Sequence, residues 1–251
     1  MKAFDLTGQQ ILITGGGSGL GLGMAHCLAQ SGAKLLLCGR REELLKAAVA
    51  EIDGEAAYVV HDVTDLDSNA DFANAVEQEH GAVHQLINNA GIHLKKSAEQ
   101  VSDSEFHAVL QTHVHAAFSL SREFAQPMLE RGEGHILFTA SMASYFGIPM
   151  VSAYSAAKTA HLGLIRSLSA DWSPRGIRVN AIAPGWIHSE MMHKAVNADP
   201  ARKHKILSRT PMGCFGDPED IGWAAVYLCS AAAKFVTGVS LPVDGGASIG
   251  F

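Results

Sequence analysis

A hydroxyl, a phenol and an amine gather within residues 141–158, SMASYFGIPMVSAYSAAK, directly after an apolar run. Residues 135–140, HILFTA, read as a buried strand whose carboxyl end delivers Ser141, and open α/β sheets bind ligands at strand carboxyl ends. A helix opening at Ser152 places Tyr154 and Lys158 on one face, because their spacing is i to i+4. A tyrosine ordinarily loses its proton near about pH 10, and an adjacent ammonium favours the phenolate, so Tyr154 is a candidate general acid or base. Ser141 can hydrogen-bond the same substrate oxygen and hold it against Tyr154 without acting as a nucleophile, since no proton acceptor is indicated beside it. Taken alone, YxxxK also describes an aromatic helix flank followed by a solvated lysine. The serine at a strand end and a nucleotide signature near the N-terminus favour chemistry.

That signature begins with the apolar strand 10–14, which breaks into GGGSGLG at 15–21 before a helical run over 22–30. A glycine loop of this kind lets backbone N–H groups approach a pyrophosphate at a helix N-terminus, where the dipole favours negative charge. No register matches GxGxxG; the pattern present is TGxxxGxG. A second strand, 33–38, ends at Gly39-Arg40-Arg41, where an NAD-specific fold would carry a ribose-binding carboxylate. Arg40 offers a cation for a 2′-phosphate instead, which favours NADP over NAD. Arg41 reads equally well as the solvated start of the helix REELLKAAVAEI.

Further strands are expected at 56–60, 83–87, 177–182 and 239–243, and helices at 67–80, 103–130, 152–172 and 218–230. Asp62, just past the third strand, could meet an adenine ring or could simply start the following helix. Alternating strands and helices at this spacing predict a single-domain Rossmann-type doubly wound α/β fold over residues 1–251, with a seven-stranded parallel sheet. The stretch 188–211 reads as irregular, amphipathic and rich in Met and His, which suits a substrate lid spanning about 186–216.

With these elements in place the chain resembles the short-chain dehydrogenase/reductase family: TGGGSGLG at 14–21, NNAG at 88–91, Ser141, YSAAK at 154–158, PG at 184–185 and VDGG at 243–246. The resemblance implies a nicotinamide cofactor and alcohol to carbonyl interconversion. It gives Tyr154 the proton transfer, Ser141 the orientation of the substrate oxygen, and Lys158 both the nicotinamide ribose and a lowering of the phenol's pKa. Gly15, Ser18, Gly19, Arg40, Asp62, Val63, Asn89 and Ile187 fall where the family contacts its cofactor, along with Tyr154 and Lys158. Homotetramers built through the two long helices are common in the family. His113 stands where the family usually has an asparagine that helps hold a proton-relay water near the lysine. Of three readings, a titrating relay member, a tolerated substitute and the mark of a lost function, the tolerated substitute is expected, because an imidazole also has one donor and one acceptor; any activity step near about pH 6.5 would then belong to its titration. The segment 188–216, with Asp199-Pro200 and Arg209-Thr210-Pro211, resembles relatives acting on gluconate-type sugar acids.

Composition narrows the partners. The 251 residues carry a net charge of -6 with Lys and Arg scattered, which leaves no electrostatic footprint for nucleic acid or an anionic membrane surface. No apolar run is long enough to span a bilayer, and the N-terminus lacks a signal-like apolar region, so a cytoplasmic protein acting on a small molecule is expected. Cys27, Cys38, Cys214 and Cys229 form no CxxC and read as reduced core residues, and no HExxH or comparable metal spacing occurs among the 13 histidines. Three functions compete: an NADP-preferring oxidoreductase acting on a secondary alcohol or ketone such as a sugar acid or polyol, a 3-oxoacyl thioester reductase, and an inactive nucleotide-binding sensor or scaffold.

Overall fold

A computed structural model describes residues 2–188 and 200–250. Seven parallel strands form one sheet in the order β3-β2-β1-β4-β5-β6-β7. They are β1 (Gln10–Thr14), β2 (Lys34–Gly39), β3 (Ala56–Val60), β4 (Gln85–Asn88), β5 (Gly134–Thr139), β6 (Ile177–Pro184) and β7 (Ser240–Val243). Strand order reverses between β1 and β4, which opens the crevice at their carboxyl ends where doubly wound sheets take ligands.

The strands are apolar on both faces because helices cover both, as parallel sheets require. Ile11, Ile13, Leu35 and Leu37 pack against α1 (Gly19–Gln30), α2 (Glu42–Glu51) and α8 (Pro218–Cys229), through Met24, Leu45 and Ile221 among others. Leu12, Leu36, Leu86 and Phe138 point the other way, onto α3 (Asn69–His80), α5 (Ala116–Arg131) and α6 (Ser152–Trp172), where Phe124 and Ile165 are buried. Gly23 on α1 and Gly222 on α8 set a close helix crossing: a Cβ on Gly23 would lie 2.4 Å from Pro218, and one on Gly222 2.5 Å from Cys27 Sγ.

Three sequence expectations need correction. The single helix expected over 103–130 is α4 (Asp103–Leu110) and α5 joined by a turn of π-helix, Gln111–His115, an irregularity that hydrophobic periodicity does not mark. The stretch expected to be irregular contains α7 (Pro200–Ser208), while residues 189–199, the centre of the expected lid, lie outside the described residues. Cys214 is exposed, whereas Cys27, Cys38 and Cys229 are buried as expected. Among the described residues, no helix is long and apolar enough to cross a membrane.

Candidate active site

The switch point is tied together by Thr14, at the end of β1. Its hydroxyl donates to Ile87 O and accepts from the amides of Asn89 and Ala90, both at 3.0 Å. Asn89 completes the tie: its amide nitrogen donates to Thr14 O and Gly15 O, and its carbonyl oxygen accepts from Thr139 Oγ1 at 3.3 Å. Asn89 thus spends its side chain on the scaffold that holds the glycine turn, and Thr14 is a positioning residue that the motif alone did not single out. The turn needs its glycines. Gly15 has φ of 66°, and a Cβ on Gly21 would fall 2.2 Å from Gly15 O.

A cavity opens above this turn, lined by Gly15, Ser18, Arg40, Asp62, Val63 and Gly91 among others. Ser18 lines this space at the N-cap of α1 and makes no side-chain capping bond, which leaves its hydroxyl and the unpaired amides of the first turn with polar capacity to spare. Gly19, with φ of 54°, has nothing within 4 Å of a built Cβ and lies at the open side. Arg40 reaches Asp62 Oδ2 at 3.6 Å, and Arg41 lines the same cavity rather than only starting a solvated helix. Asp62 also accepts from the Thr64 amide at 3.0 Å and hydroxyl at 2.7 Å. Burial raises its carboxyl, but the Thr64 bonds and Arg40 more than offset this and leave it below the usual carboxylate value. It therefore caps a turn and lines the cavity at once; the helix starts later, with a 3-10 turn at Leu66–Ser68 leading into α3. Ile187 is elsewhere: its side chain is buried, it bridges Gly216, and it does not line this cavity.

At the end of β5, Ser141 is buried and accepts from the Ala143 amide at 3.1 Å, which holds its hydroxyl in a tight turn. Tyr154 and Lys158 share a face of α6, with the Lys158 Nζ 5.6 Å from the Tyr154 ring centroid. Lys158 is almost fully buried and donates to Thr139 O, while its own carbonyl accepts from Ser144 Oγ at 2.8 Å. Burial brings its ammonium down to about 7 and pushes the Tyr154 phenol up, against the contrary effect of Ser141. This corrects the expectation of a phenol lowered by its lysine. Loss of solvation outweighs the Ser141 hydrogen bond at the half-buried phenol, and burial alone lowers the lysine.

His93 and His113 flank the phenol, their rings 5.2 and 5.5 Å from that of Tyr154. His93 was not legible as a site residue, because only the tertiary fold brings its loop to α6. His113 Nε2 meets Ile92, with the amide at 3.2 Å and the carbonyl at 2.7 Å, and the His113 carbonyl accepts from His161 Nε2 at 2.8 Å. Burial, then the nearby Lys158, lowers its imidazole to about 2, so it stays neutral throughout the physiological range. The expected titration near neutrality is therefore corrected. His113→Asn should keep turnover within roughly tenfold of the parent, since a required proton carrier would contribute about 10²-fold or more. It should leave the activity profile between about pH 5 and 8 unchanged, because the imidazole it removes does not titrate there. A larger loss in the folded variant, or a step in the profile that disappears with the imidazole, would make His113 a proton carrier.

Residues 15–248 match the family model described as enoyl-(acyl carrier protein) reductase. The gluconate 5-dehydrogenase of Gluconobacter oxydans is 36% identical over 249 residues, covering 98% of this chain and 97% of that protein. The galactitol 2-dehydrogenase (L-tagatose-forming) of Cereibacter sphaeroides is 40% identical over 250 residues, 98% of this chain and 97% of its own. Among solved structures, a gluconate 5-dehydrogenase from Burkholderia cenocepacia in complex with NADP and tartrate superposes with a TM-score of 0.95 at 32% identity, covering 100% of this chain and 99% of the other. With a seven-stranded doubly wound sheet, a glycine turn at its switch point, and a serine, tyrosine and lysine at the end of β5 and the start of α6, the chain belongs to the short-chain dehydrogenase/reductase family of nicotinamide-dependent oxidoreductases.

Proposed function

We propose that this enzyme interconverts a secondary alcohol and a ketone on a small polyhydroxylated substrate, a sugar acid or a polyol, with NADP as the preferred cofactor. The observation that carries the reading is the placement of Tyr154 between Ser141 and the buried Lys158, at the same strand ends that hold the glycine turn and the Arg40 cavity. When bound, NADP supplies the hydride acceptor or donor for the carbon that bears the oxygen. Gly15, Ser18 and Gly19 would receive its pyrophosphate, Arg40 its 2′-phosphate, and Asp62 and Val63 its adenine end. Asn89 acts through Gly15, and Ile187 would contribute from the end of β6.

Within this site Ser141 holds the substrate oxygen by hydrogen bonding. Tyr154, whose phenol burial keeps protonated near neutrality, donates its proton to that oxygen during reduction and takes it back during oxidation. Lys158 would hold the cofactor ribose and provide the positive charge that the phenolate needs. The relatives named for gluconate and galactitol, and the NADP in the Burkholderia complex, support this assignment. The net charge of -6 supports the absence of a nucleic-acid partner. Residues 186–216 would cover the substrate as a lid. The protein would work in the cytoplasm as a homotetramer, packed through the long helices α5 and α6; mass measurement in solution tests the assembly directly.

Arg40→Ala tests the cofactor assignment. Deleting a charge-assisted phosphate contact removes about 1.5 to 3 kcal/mol from the phosphorylated cofactor alone, so NADP affinity should fall roughly 10- to 150-fold relative to NAD. If both affinities fall together, or neither moves, Arg40 belongs to the Asp62 pair and to solvent, and the NADP preference loses its basis.

A further inference from the structure

Beside the catalytic trio lies a second cavity of about 390 Å³, a size typical of small-molecule sites. Its walls come from the carboxyl ends of four strands. The loop after β4 brings Lys95, the segment between Ser141 and Tyr154 brings Phe146 and Met150, the loop after β6 brings Trp186, and the turn after β7 brings Ala247. α7 and the residue beyond it close one side with Lys205 and Arg209. Ser141 and Tyr154 do not line it themselves, but its wall 146–150 runs between them in sequence, Lys96 N donates to Met150 O at 2.8 Å, and His93, two residues before Lys95, sets its ring against the phenol.

Charge sets this cavity apart. Three cations line it, and none of its lining residues is acidic, in a chain whose net charge is -6. Three lysines elsewhere are paired, Lys34 with Glu55, Lys46 with Glu42 and Lys96 with Glu105, but what distinguishes this cavity is that three cations meet around one apolar wall with no acid among them. Lys95, directly beside Lys96, has no carboxylate partner among the described residues, and neither Lys205 nor Arg209 has one. Uncompensated like charges around an apolar wall repel one another, and an anion placed among them relieves that repulsion while gaining charge-assisted hydrogen bonds.

We infer that Lys95, Lys205 and Arg209 form a carboxylate-binding collar, which makes the preferred substrate a hydroxy acid rather than a neutral polyol. The inference rests on the reading of this site as an alcohol-oxidising centre and decides between the two substrate classes left open there. The carboxylate lies among the three cations, the sugar chain runs along Trp186 and Phe146, and the carbinol faces Tyr154. The cations were not legible as a set, because the sequence scatters them over more than a hundred residues and the segment 186–192 by itself shows no basic patch.

The test compares gluconate with glucitol, which share a carbon chain and differ by a carboxylate against a hydroxymethyl group, in the NADP-loaded enzyme. Lys95, Lys205 and Arg209 are changed to glutamine singly and together; all three are exposed, so folding is retained. The parent should favour gluconate by about tenfold or more in kcat/KM, and each single variant should lose about tenfold for gluconate through KM, with glucitol unchanged. Tartrate binding to the same loaded protein, followed by calorimetry, gives a readout independent of turnover and should vanish in the triple variant. A parent that prefers glucitol, a gluconate to glucitol ratio that the variants do not move, or tartrate binding that survives the triple change overturns the collar and leaves the oxidoreductase reading intact. Should neither sugar be turned over while the parent alone binds tartrate, the collar stands and the assigned substrates fall.

Discussion

Tyr154→Phe should fold, bind NADP with near-parental affinity, and lose about 10²-fold or more of turnover. The change removes one oxygen from a half-buried ring and leaves the packing of that ring against His93 and His113 in place. What it deletes is the group proposed to exchange a proton with the substrate oxygen, and a positioned proton-transfer group contributes about 10² to 10⁴ in rate. The loss should appear in kcat and in kcat/KM together, since the missing interaction is made in the transition state. Near-normal turnover in a correctly folded variant would remove Tyr154 from the chemistry.

Lys158→Met separates the electrostatic role of the lysine from its packing. Methionine has a similar length and fills the same buried space, but cannot hold a ribose or offset a phenolate. Turnover should fall about 10²-fold and NADP affinity should weaken, because both tasks proposed for the amine are lost. Stability carries an independent signature. In the cofactor-free parent the folded ammonium titrates at about 7, against 10.5 for an ordinary lysine. Between those values the unfolded chain holds one more proton than the folded chain, so unfolding free energy rises with pH across that window and the penalty of burying the charge is fully present below it. Lys158→Met should flatten this rise. A variant whose stability still climbs from neutral to alkaline pH as the parent's does would show that Lys158 is not the buried titrating group, and unchanged cofactor affinity would contradict its second task.

The parts of this site that neighbours in sequence create were legible in advance. Ser141 follows an apolar strand, Tyr154 and Lys158 lie one helical turn apart, and the glycine turn sits between a strand and a helix; periodicity and spacing are sufficient for each. The strands lay within one or two residues of their expected bounds for the same reason. What escaped depends on contacts between distant segments. The π turn at Gln111–His115 lies inside an unbroken amphipathic pattern. His93 and His113 reach the phenol only after β4, α4 and α6 assemble. The resemblance sets Asn89 among the cofactor residues, and what only the fold adds is that its side chain bonds to Thr14, Gly15 and Thr139. Spacing reveals the lysine near Tyr154 but not the desolvation that raises the phenol and lowers the amine. Lys205 and Arg209 read as part of an irregular lid, and only the fold, through α7 and the residue after it, brings them to one cavity with Lys95.

Hydride transfer between a secondary carbinol and NADP is the centre of this interpretation, and it can be followed atom by atom. The purified protein is incubated with NADP and sugar acids or polyols carrying deuterium on the secondary carbinol carbons, and the nicotinamide is analysed by absorbance and mass. Reduced cofactor carrying the deuterium should form with at least one sugar acid or polyol, at a rate that Tyr154→Phe lowers about 10²-fold. A protein that binds NADP yet forms no reduced cofactor from any of these alcohols, and oxidises none with the corresponding ketones, would contradict it.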